Sequence, residues 1–174
     1  MDTNNVFQKL NDELNQRNIQ REIVICGGAA LIALDVISRE TKDVDVLKPK
    51  IDSELKAAAA AVAKSLKLAE NWLNNGPAIL MKELPPDWES HCEVIFEGSN
   101  LVISSLGRRD LINSKLYAAA DRISDVGDLV ALKPLNSELK NAREWVLQKD
   151  ASGIWPKIVD ECLSEVRKRL GYGK

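Results

Sequence analysis

The sequence predicts an α+β fold, a small mixed β-sheet flanked by helices with a helical C-terminal part, on three observations. Short apolar runs that end at turn residues, led by Ile23-Val24-Ile25-Cys26 before Gly27-Gly28, mark strands in the first 107 residues. Apolar residues at helical spacing alternate with those runs. From Arg108 onward every pattern is helical. The chain therefore divides into residues 1–107, an α+β core with an N-terminal helix, and residues 108–174, a helical region packing on that core either as an appendage or within one compact domain.

Val6, Phe7, Leu10 and Leu14 recur at helical spacing among polar residues, so a helix is expected from about Thr3 to Arg17, capped by Thr3 or Asn4. Ile23 to Cys26 reads as a buried strand entering a tight turn, and Ala29 to Ile37 as a short buried helix. Val44, Val46 and Leu47 form the second strand, stopped by Pro49. Asp52-Ser53 caps a helix carrying the alanine run Ala57 to Ala61, a run that allows close packing.

Ala78 to Met81, Cys92 to Phe96 and Leu101 to Ser104 are expected as strands, with Gly98-Ser99-Asn100 turning between the last two. Helices follow at roughly 109–122, 124–132, 137–149 and 155–170. Their start signals are Ser124-Asp125, Asn136-Ser137 and Trp155-Pro156.

Composition limits the function. With 24 basic and 26 acidic side chains in 174 residues the formal charge is −2, so no global field draws the chain to nucleic acid or to an anionic membrane. A polyanion would be held by a local patch. Three scattered cysteines without a CxxC pair fit a reducing compartment, and the absence of a signal peptide or of a long apolar run points to a cytoplasmic protein with no membrane partner.

The chemistry concentrates in two stretches. A strand delivering Gly27-Gly28 into a helix N-terminus places backbone N–H groups where a phosphate can approach. On the next strand, Asp43 and Asp45 lie two apart and face the same space, while Val44 and Val46 turn to the core. Two carboxylates so placed repel unless a cation lies between them, and such a pair suits Mg²⁺, which takes one or two carboxylates together with substrate phosphates. Alone, each feature is structural more often than functional; together they favour a phosphate-transfer site.

The pattern "GGAAL" followed by "RETKDVDVL" resembles the nucleotidyltransferase superfamily that includes DNA polymerase beta. It is closest to the bacterial branch that contains the abortive-infection nucleotidyltransferases of type IV toxin–antitoxin systems. The interval from Gly28 to Asp43 holds fourteen residues, slightly longer than that branch has. A second segment, "SSLGRRDLINSKLYAAADRISDVGDLVAL", resembles a later family motif, with Lys115, Ala118 or Ala119, Arg122, Asp125, Asp128 and Leu129 filling it.

The resemblance implies a nucleotidyltransferase-like fold and transfer of a nucleotidyl group from a nucleoside triphosphate. Mg²⁺ or Mn²⁺ would sit on Asp43 and Asp45. Gly27, Gly28, Arg39, Thr41 and Lys42 would surround the nucleotide, and Lys115 would contact its phosphates. Asp125 or Asp128 would support the site; Asp125 alternatively caps its helix. Lys115 and Arg122, seven apart on a helix, would share one face.

The third catalytic carboxylate has two candidates, Glu93 and Glu97, of which Glu93 is chosen because Glu97 sits at the turn. The acceptor is an RNA end, a protein hydroxyl or a small molecule, and an antitoxin is a further expected partner. The rival reading is a nucleotidyltransferase fold that has lost turnover and serves as a binding or regulatory protein. Trp88, in the Pro85-Pro86 loop, is the tryptophan placed best to meet a base. His91 lacks the neighbours of a zinc site.

Overall fold

The computed structural model describes residues 1–122 and 126–172. The chain divides into two compact units, Met1–Gly107 and Arg108–Lys174. The first unit carries α1 (Thr3–Gln16), β1 (Arg21–Cys26), α2 (Gly27–Ala33), β2 (Val44–Lys48), α3 (Ser53–Leu66), β3 (Leu73–Asn74), β4 (Glu93–Glu97) and β5 (Leu101–Ser105). Its five strands form one mixed sheet in the order β3-β2-β1-β5-β4. β1 runs parallel to β5 and antiparallel to β2. β2 runs parallel to β3, and β4 antiparallel to β5.

Strand alternation separates the two faces. Ile23 and Ile25 of β1 stand in register with Ile103 and Ser105 of β5, and Phe96 of β4 with Ile103. The Phe96 ring meets Phe7 of α1 edge-on at 5.9 Å, so α1 covers that face. Leu10, Leu14, Leu55 and Val62 complete the buried layer. Trp72, fully buried, donates its indole N–H to the Ala59 carbonyl of α3 at 2.9 Å, and within the alanine run Ala58 and Ala59 are the buried members while Ala57 and Ala60 are exposed. On the opposite face Val24, Lys48, Cys92 and Ser104 line a cavity of about 390 Å³.

Several expectations require correction. Gly76–Lys82, which contains the run expected as a strand, is a 3-10 helix with Pro77 in its first turn. A second 3-10 turn, Trp88–His91, precedes β4, so His91 and Cys92 lie before the strand. The cap of α1 is Asp2, whose carboxylate accepts from Asn5 N–H at 3.2 Å. Helix α2 begins at Gly27 itself and ends at Ala33, short of Ile37. β2 stops at Lys48, before a cis Lys48-Pro49 peptide bond.

The second unit is helical: α4 (Arg108–Asp121), α5 (Val126–Ala131), α6 (Asn136–Leu147) and α7 (Trp155–Leu170). Leu116, Leu129, Leu139, Val146, Val159 and Leu163 are buried. Tyr117 stands edge-on to both Trp145 and Trp155, at 6.3 and 6.0 Å. Arg108 donates to the carbonyls of Leu132 and Lys133 and forms a two-point pair with Glu138. Glu138 also accepts from Leu135 N–H, so the start of α6 is capped from inside the helix instead of by Asn136-Ser137. Ser124 and Asp125 lie outside the described residues. Among the described residues no helix is long and apolar enough to cross a membrane.

Asp52 caps α3 by accepting from Leu55 N–H at 2.8 Å, and it also pairs with Arg21. The Leu55 N–H, followed by Arg21, holds its carboxyl below the usual aspartate range. A depressed folded-state pKa contributes stability above the unfolded value, about 3.9, and that contribution is lost as pH falls through the folded value. Asp52→Ala is therefore expected to cost about 1 kcal/mol at pH 7, with the difference from wild type shrinking below about pH 4, as read by urea denaturation at both pH values.

Candidate functional site

Two acids and two glycines meet at the junction of β1, α2 and β2. Cys26, the last residue of β1, is paired across the ladder with Asp45, and Gly27 follows with a positive φ of +72°. A Cβ on Gly27 would stand 2.6 Å from Asp45 Oδ2, closer than any real side chain sits, so the carboxylate occupies the space that glycine leaves. A Cβ on Gly28 would lie 3.3 Å from Thr41 Oγ1 and 3.5 Å from Arg39 Nη2.

Thr41 connects this turn to the other acid. It is buried, and its hydroxyl lies 3.2 Å from the Asp43 carbonyl oxygen and 3.4 Å from Asp43 Oδ1. Gly27 thus meets Asp45, while Gly28 meets Thr41 and, through it, Asp43. Val44 and Val46, on the other side of β2, are completely buried, and Asp45 is half-buried. Asp43, Arg39 and Lys42 are exposed.

Asp43, Asp45 and Thr41 offer oxygen donors, two carboxylates and a hydroxyl that lies against Asp43. Oxygen donors select hard cations such as Mg²⁺ or Mn²⁺. Among the described residues no group of three or more acids, histidines or cysteines converges on one point. A pair of carboxylates nonetheless fits Mg²⁺, whose remaining positions are taken by water and substrate oxygens.

Glu93 opens β4 and is exposed. It pairs with Ser105, Ser105 with Ile25, and Ile25 with Val46, whereas Asp45 pairs with Cys26 in the next row. Alternation therefore sends Glu93 with Val46 to the face opposite Asp45. Glu97, at the far end of β4, is exposed as well. Trp88 is buried, with Lys48 Nζ 5.5 Å above its ring and Glu89 paired to the same ammonium. His91 stands exposed beside Asp87, 3.8 Å away.

In the second unit Lys115 and Asp128 form a buried pair, Nζ to Oδ2 at 2.8 Å, joining α4 to α5. Arg122 falls one residue beyond α4 and is exposed, so the two cations expected on one face occupy different environments. Asp125 lies outside the described residues. The Cys162 thiol is pushed up to about 11 by burial.

One residue beside the acids was not legible as a site residue. Asn74, on the two-residue strand β3, stands opposite Asp45 in the ladder. The following Asn75-Gly76-Pro77 signals a turn, and nothing local marks the residue before it as a strand neighbour of the acids.

The family described as "Nucleotidyltransferase of unknown function (DUF6036)" matches residues 3–147, a span that contains every residue named above as a site candidate. Neither the curated proteins nor the solved structures give a match.

Both arrangements contribute to stability. Gly27→Ala strains a left-handed backbone and displaces Asp45, so a loss of roughly 1–2 kcal/mol is expected. Lys115→Met strands Asp128 without its cation and is expected to cost about 3 kcal/mol. The Lys115→Met/Asp128→Leu double variant should recover most of that. Chemical denaturation of the three variants checks both; a Lys115→Met change within about 0.5 kcal/mol would instead mark Lys115 as a solvated surface charge.

Proposed function

The chain belongs to the DUF6036 family of nucleotidyltransferases, and from that premise we propose that it transfers a nucleotidyl group from a nucleoside triphosphate to an acceptor, with Mg²⁺ or Mn²⁺ held by Asp43 and Asp45. The observation that carries this reading is the convergence of both carboxylates on Gly27-Gly28, Asp45 against the first glycine and Asp43 through Thr41 against the second.

Each residue has a chemical task in this reading. Asp43 and Asp45 supply the negative charge that retains the cation and, with it, the triphosphate. Thr41 holds Asp43 in place by sharing its hydroxyl between the carbonyl and the carboxylate. Gly27 and Gly28 let the nucleotide approach the backbone at the start of α2. Arg39, near Gly28, and Lys42, beside Asp43, place positive charge where the phosphates would lie. When bound, the cation would stabilise charge developing on the attacked phosphate and on the departing pyrophosphate.

Lys115, in the second unit, is proposed as a phosphate contact on the family resemblance alone. Asp128 holds its ammonium at 2.8 Å, so a phosphate would have to replace or share that carboxylate. The likeness of "GGAAL" and "RETKDVDVL" to the abortive-infection branch supports a toxin–antitoxin setting and an RNA or protein acceptor.

One observation favours a second reading. Alternation turns Glu93 to the face opposite Asp45, so the residue expected to deprotonate the acceptor does not stand with the acid pair. This displacement of Glu93 supports a protein that binds nucleotide without turning it over.

Incubation with labelled nucleoside triphosphates, Mg²⁺ and bulk RNA or protein separates the two. Turnover predicts label transfer that falls at least about 100-fold in Asp43→Asn/Asp45→Asn. Saturable nucleotide binding with no transfer supports the binding reading, and transfer that persists in the double variant contradicts the metal assignment.

A further inference from the structure

Asn74 and Asn75 are adjacent amides with different fates. Asn75 is used up structurally: its Nδ2 donates to the carbonyls of Val46 at 2.9 Å and Pro49 at 3.2 Å, and its Oδ1 accepts from Ile51 N–H at 2.7 Å. It pins the end of β2 to the turn that follows β3.

Among the described residues Asn74 uses only its acceptor. Gly76 N–H donates to Asn74 Oδ1 at 2.7 Å, and because a backbone N–H can only donate, the oxygen end of the carboxamide must face Gly76. The NH₂ end therefore points away from Gly76, and among the described residues it meets no hydrogen-bond acceptor. Gly76 leaves room for this arrangement, since a Cβ there would come within 2.8 Å of the same oxygen.

The ladder decides where that amide lies. Asn74 is the register partner of Asp45 on the neighbouring parallel strand. Partners across a ladder project to the same face from strands about 4.8 Å apart. An NH₂ group with two donor hydrogens and, among the described residues, no protein acceptor thus lies on the same face of the sheet as Asp45. It cannot ligate a cation, because it carries no lone pair to give. Its complement is an anionic oxygen brought in by a ligand.

Resting on the nucleotide-binding reading above, we propose that Asn74 is a further substrate-contacting residue, whose carboxamide N–H donates to a phosphate oxygen of the bound nucleoside triphosphate while Gly76 N–H fixes its orientation. The residue does not take part in bond making; it holds the phosphate beside the acid pair.

The test is a fluorescence titration of the full chain with a non-hydrolysable, labelled nucleoside triphosphate analogue at saturating Mg²⁺, with a thermal melt for each variant. Asn74→Ala removes the donor and is expected to weaken binding about tenfold. Asn74→Asp is the discriminating variant. It keeps an oxygen for Gly76 N–H but sets a carboxylate where the donor stood, so binding should be weaker than in Asn74→Ala although the melting temperature stays near wild type. Asn74→Asp binding as tightly as wild type, or tighter, would reduce Asn74 to a turn residue and overturn the assignment, as would an unchanged affinity in Asn74→Ala. If the wild-type chain itself fails to bind the analogue, the nucleotide-binding reading falls and this assignment falls with it.

Discussion

A missing methyl group organises the candidate site. The carboxylate of Asp45 lies in the space where residue 27 would carry a Cβ, so the β1–α2 junction and the acid strand approach as closely as they do only because Gly27 has no side chain. The positive φ at Gly27 adds a second reason, since an L side chain there would strain the backbone. Thr41 performs the matching task for Asp43, standing between that carboxylate and Gly28. The glycine pair is thus the surface on which both acids are positioned, and it does more than end a strand.

That arrangement depends in turn on the sheet. β1 is the central strand, paired on one side with the acid strand and on the other with β5. Val44 and Val46 are fully buried on one side of β2, and a one-residue slip would put both acids into that apolar layer. Burial of the valines therefore fixes the outward direction of Asp45. The same alternation carries Glu93, three strands away from β2 in register order, to the valine side. The constraint that secures the first two acids also works against the third.

Much of this was readable from the residues. The β1 run, the glycine turn, the burial of Val44 and Val46 on either side of Asp45, and the four C-terminal helices rest on strong local signals: glycine, period-two alternation and helical spacing. What was not readable depends on long-range pairing or on choices between near equivalents. β3 is two residues long and exists only through its bridge to β2, so Asn74 carried no local sign of its place beside Asp45. Ala78 to Met81 is an apolar run too short for periodicity to separate strand from helix, and Gly76-Pro77 starts a 3-10 helix there. Asp2, Thr3 and Asn4 are all competent caps, and geometry chose Asp2. Spacing put Lys115 and Arg122 on one face, but it could not show that Asp128 would take the lysine into the interior of the second unit.

The central claim is that Asp43 and Asp45, set against Gly27-Gly28, hold a divalent cation. Paramagnetic broadening by Mn²⁺ in the amide spectrum of the isotope-labelled chain tests it most directly, because the effect falls steeply with distance and needs no turnover. Substoichiometric Mn²⁺, in the presence of a nucleoside triphosphate analogue, is expected to broaden the amides of Gly27, Gly28, Asp43 and Asp45 selectively while sparing those of β4. Broadening confined to other acidic residues, or an unchanged set of Gly27 and Gly28 signals at saturating Mn²⁺, would contradict it.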